Sequence, residues 1–327
     1  MIIGPLRTLP HFVSELIQFT VSMNRVQDYL NTPEVDNSLV QRNFNPNAEE
    51  SIVIRGGNNF HWGRDIKKEE SDDEDDKKHE KVLKERKDQK KEKKDKKKKD
   101  DSNKKEVEGE LSVALKNMDL TVKKGEFVCI IGEIGSGKSS LLSSLIGDML
   151  AENQHKESPI VVHEKLSYVQ QQPWIQNKTI KENILFGEEY DEVKYKKAIK
   201  MCELTRDINI LPAGDKTEIG EKGINLSGGQ KARLSLARAV YADKDLLLLD
   251  DPISALDANV KKKIFKNLLV GHLKNKTRIL VTHAVDFLHL VDRILVIKEG
   301  EITLDGNYEQ LKKEEYLQQL IQIHKTN

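Results

Sequence analysis

The segment Phe127-Val-Cys-Ile-Ile-Gly132-Glu-Ile-Gly135-Ser-Gly137-Lys138-Ser139-Ser140-Leu-Leu constrains the fold of this chain more than any other. Its first five residues are apolar without alternation, the pattern of a strand buried on both faces. The glycines that follow break the strand into a loop of the form G-x-x-x-x-G-K-[ST], and a helical pattern begins at Lys138. Each residue type has a chemical reason. Glycines let backbone N–H groups curl around phosphate oxygens, and the next helix points its positive N-terminal end at the same anion. Lys138 then reaches the β- and γ-phosphates, and the Ser139 hydroxyl becomes a Mg²⁺ ligand. Gly132, Glu133, Ile134, Gly135, Ser136, Gly137, Lys138, Ser139 and Ser140 are therefore candidate residues of a nucleoside-triphosphate cradle.

Uninterrupted apolar strands recur over 246–249, 278–281 and 294–297, and shorter ones over 160–162 and 166–169. Helical patterns lie over 138–146, 179–185, 191–202, 228–241, 260–269 and 316–323. Strands of this kind alternating with helices predict an α/β fold with a mostly parallel, helix-covered sheet. Ahead of the loop, residues 113–115 and 118–122 alternate as half-buried strands, and 51–54 reads as another. Gly56-Gly57-Asn58-Asn59 predicts a turn before Phe60-His61-Trp62.

The chain has 327 residues and a formal net charge of zero, so its mean charge points to no partner, but the distribution is uneven. Residues 64–108 are acidic first (69–76), then lysine-dominated (77–105), with almost no apolar side chain. Such a stretch cannot bury enough surface to offset its ordering entropy, so disorder is expected. A lysine run can bind nucleic acid or anionic lipid, but the acidic neighbours favour a solvated, self-neutralising insertion. Two cysteines, Cys129 and Cys202, are too few for a disulfide framework and lack metal-ligand spacing. No window approaches the roughly 20 consecutive apolar residues that span a bilayer, and no signal-peptide pattern is present. The expectation is a chain that crosses no membrane alone. Residues 9–30 carry apolar side chains at helical spacing on one face, an amphipathic helix that needs a cover for its stripe.

Asp250 closes the strand over 246–249, where a phosphate loop needs a carboxylate to hold Mg²⁺. Just upstream stands Leu226-Ser227-Gly228-Gly229-Gln230, in which Ser227 suits a helix N-cap and the helix end suits an anion. With the phosphate loop and Asp250 beside it, this segment resembles the signature of ATP-binding cassette (ABC) transporters. Tyr168-Val-Gln-Gln-Gln-Pro-Trp-Ile-Gln-Asn-Lys-Thr-Ile-Lys-Glu-Asn-Ile-Leu-Phe-Gly187 and Asp250-Asp-Pro-Ile-Ser-Ala-Leu-Asp257 look like subfamily C, the multidrug-resistance-associated proteins, and specifically their first nucleotide-binding domain. The short distance from Ser139 to Gln171 agrees.

The resemblance implies a P-loop NTPase of ABC type, with a mostly parallel sheet core, an antiparallel β subdomain, a helical signature subdomain and an N-terminal amphipathic helix. It implies ATP and Mg²⁺ as cofactors, Mg²⁺ being held by Ser139 with Asp250 and Gln171 in outer positions, and adenine stacking on Trp62. Ser227, Gly228, Gly229 and Gln230 would face the γ-phosphate of a second, head-to-tail domain. Asp257 matches the loop crossing that interface, and His283 matches a γ-phosphate hydrogen-bonding histidine. Asp251 stands where active sites of the family place a glutamate to activate water, implying slow hydrolysis. Residues 4–30 resemble the cytosolic end of the last helix of the first transmembrane domain, so the partners implied are that domain and a second nucleotide-binding domain at the cytosolic face of a membrane.

The expected divisions are 1–35 for the helix, 50–63 for the first strand and adenine loop, 64–108 for the charged insertion, 109–313 for the nucleotide-binding domain and 314–327 for a C-terminal helix. The insertion is much longer than the family's usual link, and the transmembrane helices are absent from this sequence. Either the chain is a piece of a longer transporter, or it acts as a separate soluble piece. The lysine block gives some appeal to a rival reading, a soluble ABC ATPase acting on ribosomes or DNA. The transmembrane-like N-terminal helix argues against it.

Overall fold

The computed structural model describes residues 3–31, 39–62, 113–152, 159–220 and 226–326. They fall in two compact units, Met1–Glu34 with Trp62–Ser112, and Val35–His61 with Val113–Asn327. The charged insertion expected over 64–108 lies outside the described residues.

In the first unit the described chain is helix α1, Ile3–Leu30, with Asn31 and Trp62. The helix starts earlier than residue 9, where the apolar periodicity begins. Phe12, Ile17 and Phe19 are each about 60 % exposed, so a broad apolar stripe faces solvent. Among the described residues, no helix is long and apolar enough to cross a membrane.

The second unit is built on two sheets. The antiparallel one pairs β2 (Glu50–His61) with β3 (Val113–Lys123), β5 (Leu150–Glu152) and β6 (Ile160–Val162), and β6 with the short parallel strand β1 (Val40–Arg42). Strand β2 runs straight through the turn expected at Gly56–Asn59. Its register against β3 shifts between Ile54 and Asn58, and Gly57 takes φ 86°. The glycines thus make a bulge, which bends the strand without reversing it. Asn58 Nδ2 donates to Arg55 O at 3.0 Å across that bulge.

The larger sheet holds six strands in the order β11-β10-β4-β9-β8-β7. These are β4 (Phe127–Gly132), β7 (Leu166–Val169), β8 (Leu246–Asp250), β9 (Thr277–Val281), β10 (Arg293–Lys298) and β11 (Glu301–Gly306). Five are parallel and only β11, a strand missed in the sequence, runs antiparallel at one edge. Alternate residues of the apolar runs divide between two cores. Val128, Ile130, Leu248, Ile279 and Leu295 pack with the antiparallel sheet and with Leu141, Leu142 and Leu145 of helix α2 (Lys138–Ile146). Cys129, Ile131, Leu247, Leu280 and Ile294 face the opposite core. That core is completed by helices α3 (Ile180–Leu185), α4 (Glu192–Met201), α5 (Thr205–Ile210) and α6 (Gly228–Ala242), and by α7 (Ala258–Lys263) with its wider π-type continuation Ile264–His272. Both faces of the sheet being dry is the physical reason its strands show no polar alternation. Each such Leu or Ile contributes about 1.5–3 kcal/mol by leaving water.

Arg238 of α6 ties the helical layer to the segment after β7. Its guanidinium donates to Trp174 O at 3.1 Å, to Asn183 O at 2.9 Å and to Asn183 Oδ1 at 3.2 Å, and it lies 4.4 Å from the Phe186 ring centre. Helices α8 (Tyr308–Leu311) and α9 (Glu315–Thr326) close the chain, with Leu317 and Leu320 fully buried.

Candidate functional site

The parallel strands end level with one another. Val169 pairs with Leu249, Asp250 with Val281, Ile130 with Val281, and Gly132 with Ile297. Every turn that follows a strand therefore opens on the same edge, the carboxyl edge where ligands of parallel α/β sheets bind.

The loop after β4 is shaped by its glycines. Gly137 has φ 105°, and a Cβ there would stand 3.0 Å from Leu115 Cδ2 and 3.1 Å from Ala114 O, so both backbone and space demand glycine. Lys138 is only 7 % exposed, its ammonium held by Gly132 O at 3.0 Å and Glu133 O at 2.6 Å. Burial pulls its pKa below the ordinary lysine value, while the charges of Asp251, Asp250 and Glu133 oppose that shift. The Ser136 hydroxyl is buried in the same loop without a hydrogen-bond partner among the described residues. A buried orphan hydroxyl in a glycine-rich loop is what a missing phosphate oxygen would satisfy.

Ser139 Oγ donates to Asp250 Oδ1 at 3.0 Å, bringing the first turn of α2 and the end of β8 together. The other carboxylate oxygen, Oδ2, faces the Tyr168 hydroxyl at 3.5 Å. Burial raises the Asp250 pKa first, and the neighbouring Asp251 charge adds to it, against the Ser139 and Tyr168 hydrogen bonds. Tyr168 in turn is pushed up to about 12, by burial and then by the charge of Asp250. Asp251 is 5 % exposed and takes φ 45°, its N–H donating to Val281 O at 2.9 Å. Thr282 Oγ1 donates to Asp251 Oδ1 at 3.3 Å, and His283 follows immediately. Lys138, Ser139, Asp250 and Asp251 are thus one cluster. Gln171 is exposed in the turn after β7.

Oxygen donors of this kind suit a hard divalent cation. Among the described residues there is no group of three or more His, Cys, Asp or Glu side chains able to hold a metal. One hydroxyl and one carboxylate, with nucleotide phosphates and waters filling the other positions, is the arrangement Mg²⁺ favours over an all-protein cage. The residues present fit a phosphate-borne Mg²⁺.

Ser227 caps α6 through a reciprocal box, its Oγ accepting Gln230 N–H at 3.2 Å while Gln230 Oε1 accepts Ser227 N–H at 2.9 Å. Gln230 Nε2 and the Arg233 guanidinium both donate to Asp207, locking α6 to α5. A Cβ on Gly229 would meet Ala255 O at 3.0 Å, so the signature turn packs closely on the 254–257 loop. Asp257 caps α7, its Oδ1 accepting Asn259 and Val260 N–H at 3.1 Å each. Gly228, Gly229 and the 254–257 loop therefore form a second cluster, on the helical layer. Trp62 belongs to the other unit and is 44 % exposed. A cavity of about 630 Å³ adjoins the Gln171 turn, lined by Tyr168, Gln170, Trp174, Phe186, Arg238 and Lys244 among others.

Two residues escaped the sequence reading, Tyr168 and Thr282. The signal available was a polar residue one to three positions ahead of a singled-out one, Gln171 or His283, at an otherwise apolar strand end.

A glycine-rich phosphate loop on a parallel sheet, a strand-end aspartate and a Ser-Gly-Gly helix cap define a P-loop nucleotide-binding domain of the ATP-binding cassette type. Residues 115–254 match the family model described as "ABC transporter". The chain is 41 % identical over 311 residues to ABC transporter C family member 8 of Dictyostelium discoideum, covering 94 % of this chain and 16 % of that protein. It is 40 % identical over 311 residues to ATP-binding cassette sub-family C member 2 of Mus musculus (94 % of this chain, 17 % of that one). With multidrug resistance protein mrp-7 of Caenorhabditis elegans the identity is 38 % over 312 residues (95 % and 17 %). The chain carries an ABC nucleotide-binding domain of subfamily C, the multidrug-resistance-associated type. It spans about one sixth of the length of the curated relatives it matches.

Proposed function

We propose that this chain is the first nucleotide-binding domain of a subfamily C exporter, binding Mg-ATP and turning it over slowly to power or gate transport of a substrate across a membrane. The observation that carries this reading is the convergence of Lys138, Ser139 and Asp250 at the mouth of the glycine-rich loop. Phosphate oxygens would replace the Gly132 and Glu133 carbonyls around the Lys138 ammonium, a charge-assisted exchange that favours binding. Mg²⁺, when bound, neutralises developing charge on the phosphates. Ser139 and Asp250 would hold it, with Gln171 in an outer position.

The second cluster suits a partner. Ser227 spends its oxygen as an acceptor in the cap, which leaves the hydroxyl proton to donate to the γ-phosphate of a second domain, alongside the N–H groups of Gly228 and Gly229. Asp257 would stand at that head-to-tail interface, and His283 would donate to the γ-phosphate on its own side. Tyr168 touches Asp250 and also lines the 630 Å³ cavity, so the metal carboxylate and a surface open to a transmembrane partner share one side chain. The relatives' names, an ABC transporter and a multidrug resistance protein, support the exporter reading over a soluble ATPase on nucleic acid or ribosomes. The chain would then work at the cytosolic face of a membrane, held there by its transmembrane partner.

Slow hydrolysis rests on Asp251. Its carboxylate stands one methylene short of a glutamate's, and a misplacement of about 1 Å costs on the order of 10²-fold in rate. The test is Asp251→Glu in the chain paired with a partner domain that carries the glutamate. Steady-state turnover at this site is expected to rise by up to about 10²-fold. Unchanged turnover, or equal wild-type rates at both sites, overturns the assignment.

A further inference from the structure

Thr282 follows β9 directly and is 1 % exposed, below the floor of the site. Its Oγ1 accepts Ala284 N–H at 3.0 Å and donates to Asp251 Oδ1 at 3.3 Å. A hydroxyl has one proton, and an ionised carboxylate can only accept, so the direction of the second bond follows from chemistry. Asp251 meets this donor from the neighbouring strand end, its own N–H bound to Val281 O at 2.9 Å. The carboxylate is thereby tied to the end of β9, and its charge adds to burial in raising the pKa of the Cys129 thiol. Its charge also reaches the Lys138 ammonium of the phosphate loop, so a short swing separates the captured position from that loop.

We propose that Thr282 is a positioning residue that captures the Asp251 carboxylate against the floor, and that this capture, beyond the missing methylene, keeps a bound triphosphate from rapid turnover. The inference rests on reading Asp251 as the acid at the water position, and the experiment separates the two. An aspartate released from Thr282 can swing toward the phosphate side, so loss of the hydroxyl raises turnover. A hydroxyl that merely supported the fold would lower it.

The full 327-residue chain is prepared as wild type, Thr282→Val and Thr282→Ser, each also in an Asp251→Ala background. Without nucleotide, Thr282→Val is expected to lower the melting temperature by roughly 4 °C or more, because a buried carboxylate loses its donor. In the Asp251→Ala background the same change should cost less than half as much, and Thr282→Ser should restore the wild-type melting temperature. Equal losses in both backgrounds overturn the capture whatever Asp251 does. With Mg-ATP and the partner domain, Thr282→Val should raise turnover several-fold at little changed KM, and Thr282→Ser should not. A fall, or no change, in the presence of clear coupling to Asp251 also overturns the proposal. If instead Asp251→Glu leaves turnover unchanged while the melting cycle stays coupled, the failure lies with the reading of Asp251 as the base. Should Thr282→Val not fold, NMR on the wild type decides: a Thr282 hydroxyl proton donated into a buried carboxylate is slow to exchange, and its absence overturns the capture.

Discussion

Lys138 is the cation proposed to carry nucleotide affinity, and its environment supports that role. It sits buried between two carbonyls, with Asp250 and Asp251 near enough to oppose the effect of that burial on its pKa. Lys138→Ala is expected to weaken Mg-ATP binding on the order of 10²-fold, the worth of hydrogen bonds from a charged donor, while leaving the melting temperature little changed. Calorimetric titration checks it, and unchanged affinity would remove the phosphate-loop assignment. Asp250 carries the opposite tension. Its pKa in the fold lies above the ordinary carboxylate value, so the folded state holds its proton more tightly than the unfolded chain does. Stability linked to this group is then present in full below about pH 4, is lost as pH rises from there through the raised folded value, and stays lost at neutrality. Asp250→Asn should raise the neutral-pH melting temperature without nucleotide, with the gap closing below about pH 4. The same variant should lose the Mg²⁺ dependence of ATP affinity. Lys138, Ser139 and Asp250 were each legible in the sequence because their chemistry is local to a motif. Thr282 and Tyr168 were not, since each acts on a residue 31 or 82 positions away across strand ends.

At the scale of elements, helix α6 links the signature to the rest of the helical layer. Its cap, its glycine contact with Ala255 and the Arg233–Asp207 pair all lie in its first two turns. Ser227→Ala removes the cap oxygen and should cost about 1 kcal/mol, read as a lower denaturant midpoint with unchanged slope. Gly229→Val adds a Cβ at 3.0 Å from a backbone carbonyl, and is expected to displace the 254–257 loop and abolish association with a partner domain while ATP binding to the chain itself persists. Loss of ATP affinity in that variant would mean the two clusters are one site. Helix and strand positions over 138–146, 228–241 and 246–249 were readable because periodicity and caps coincide there. The bulge at Gly57 and the edge strand β11 were not, because a pair of glycines signals turn and bulge alike until the partner strand is known.

For the whole molecule, the described chain on either side of the charged segment meets at one strand pair. His61 at the end of β2 is the cross-strand partner of Val113 at the start of β3. Replacing residues 67–105 with a short glycine-serine turn should therefore keep both the melting temperature and the ATP affinity within error, since closure entropy varies slowly with loop length. A marked drop in either would assign the block a structural role. The sequence by itself determined the class of fold, the phosphate loop and the kinship with ABC domains, because each rests on short-range patterns: apolar runs, glycines at set spacing, a cap. Only the tertiary structure decided which strand ends stand side by side. Side-chain partnership across a parallel sheet is set by strand order and register, and these place Thr282 beside Asp251 and Tyr168 beside Asp250.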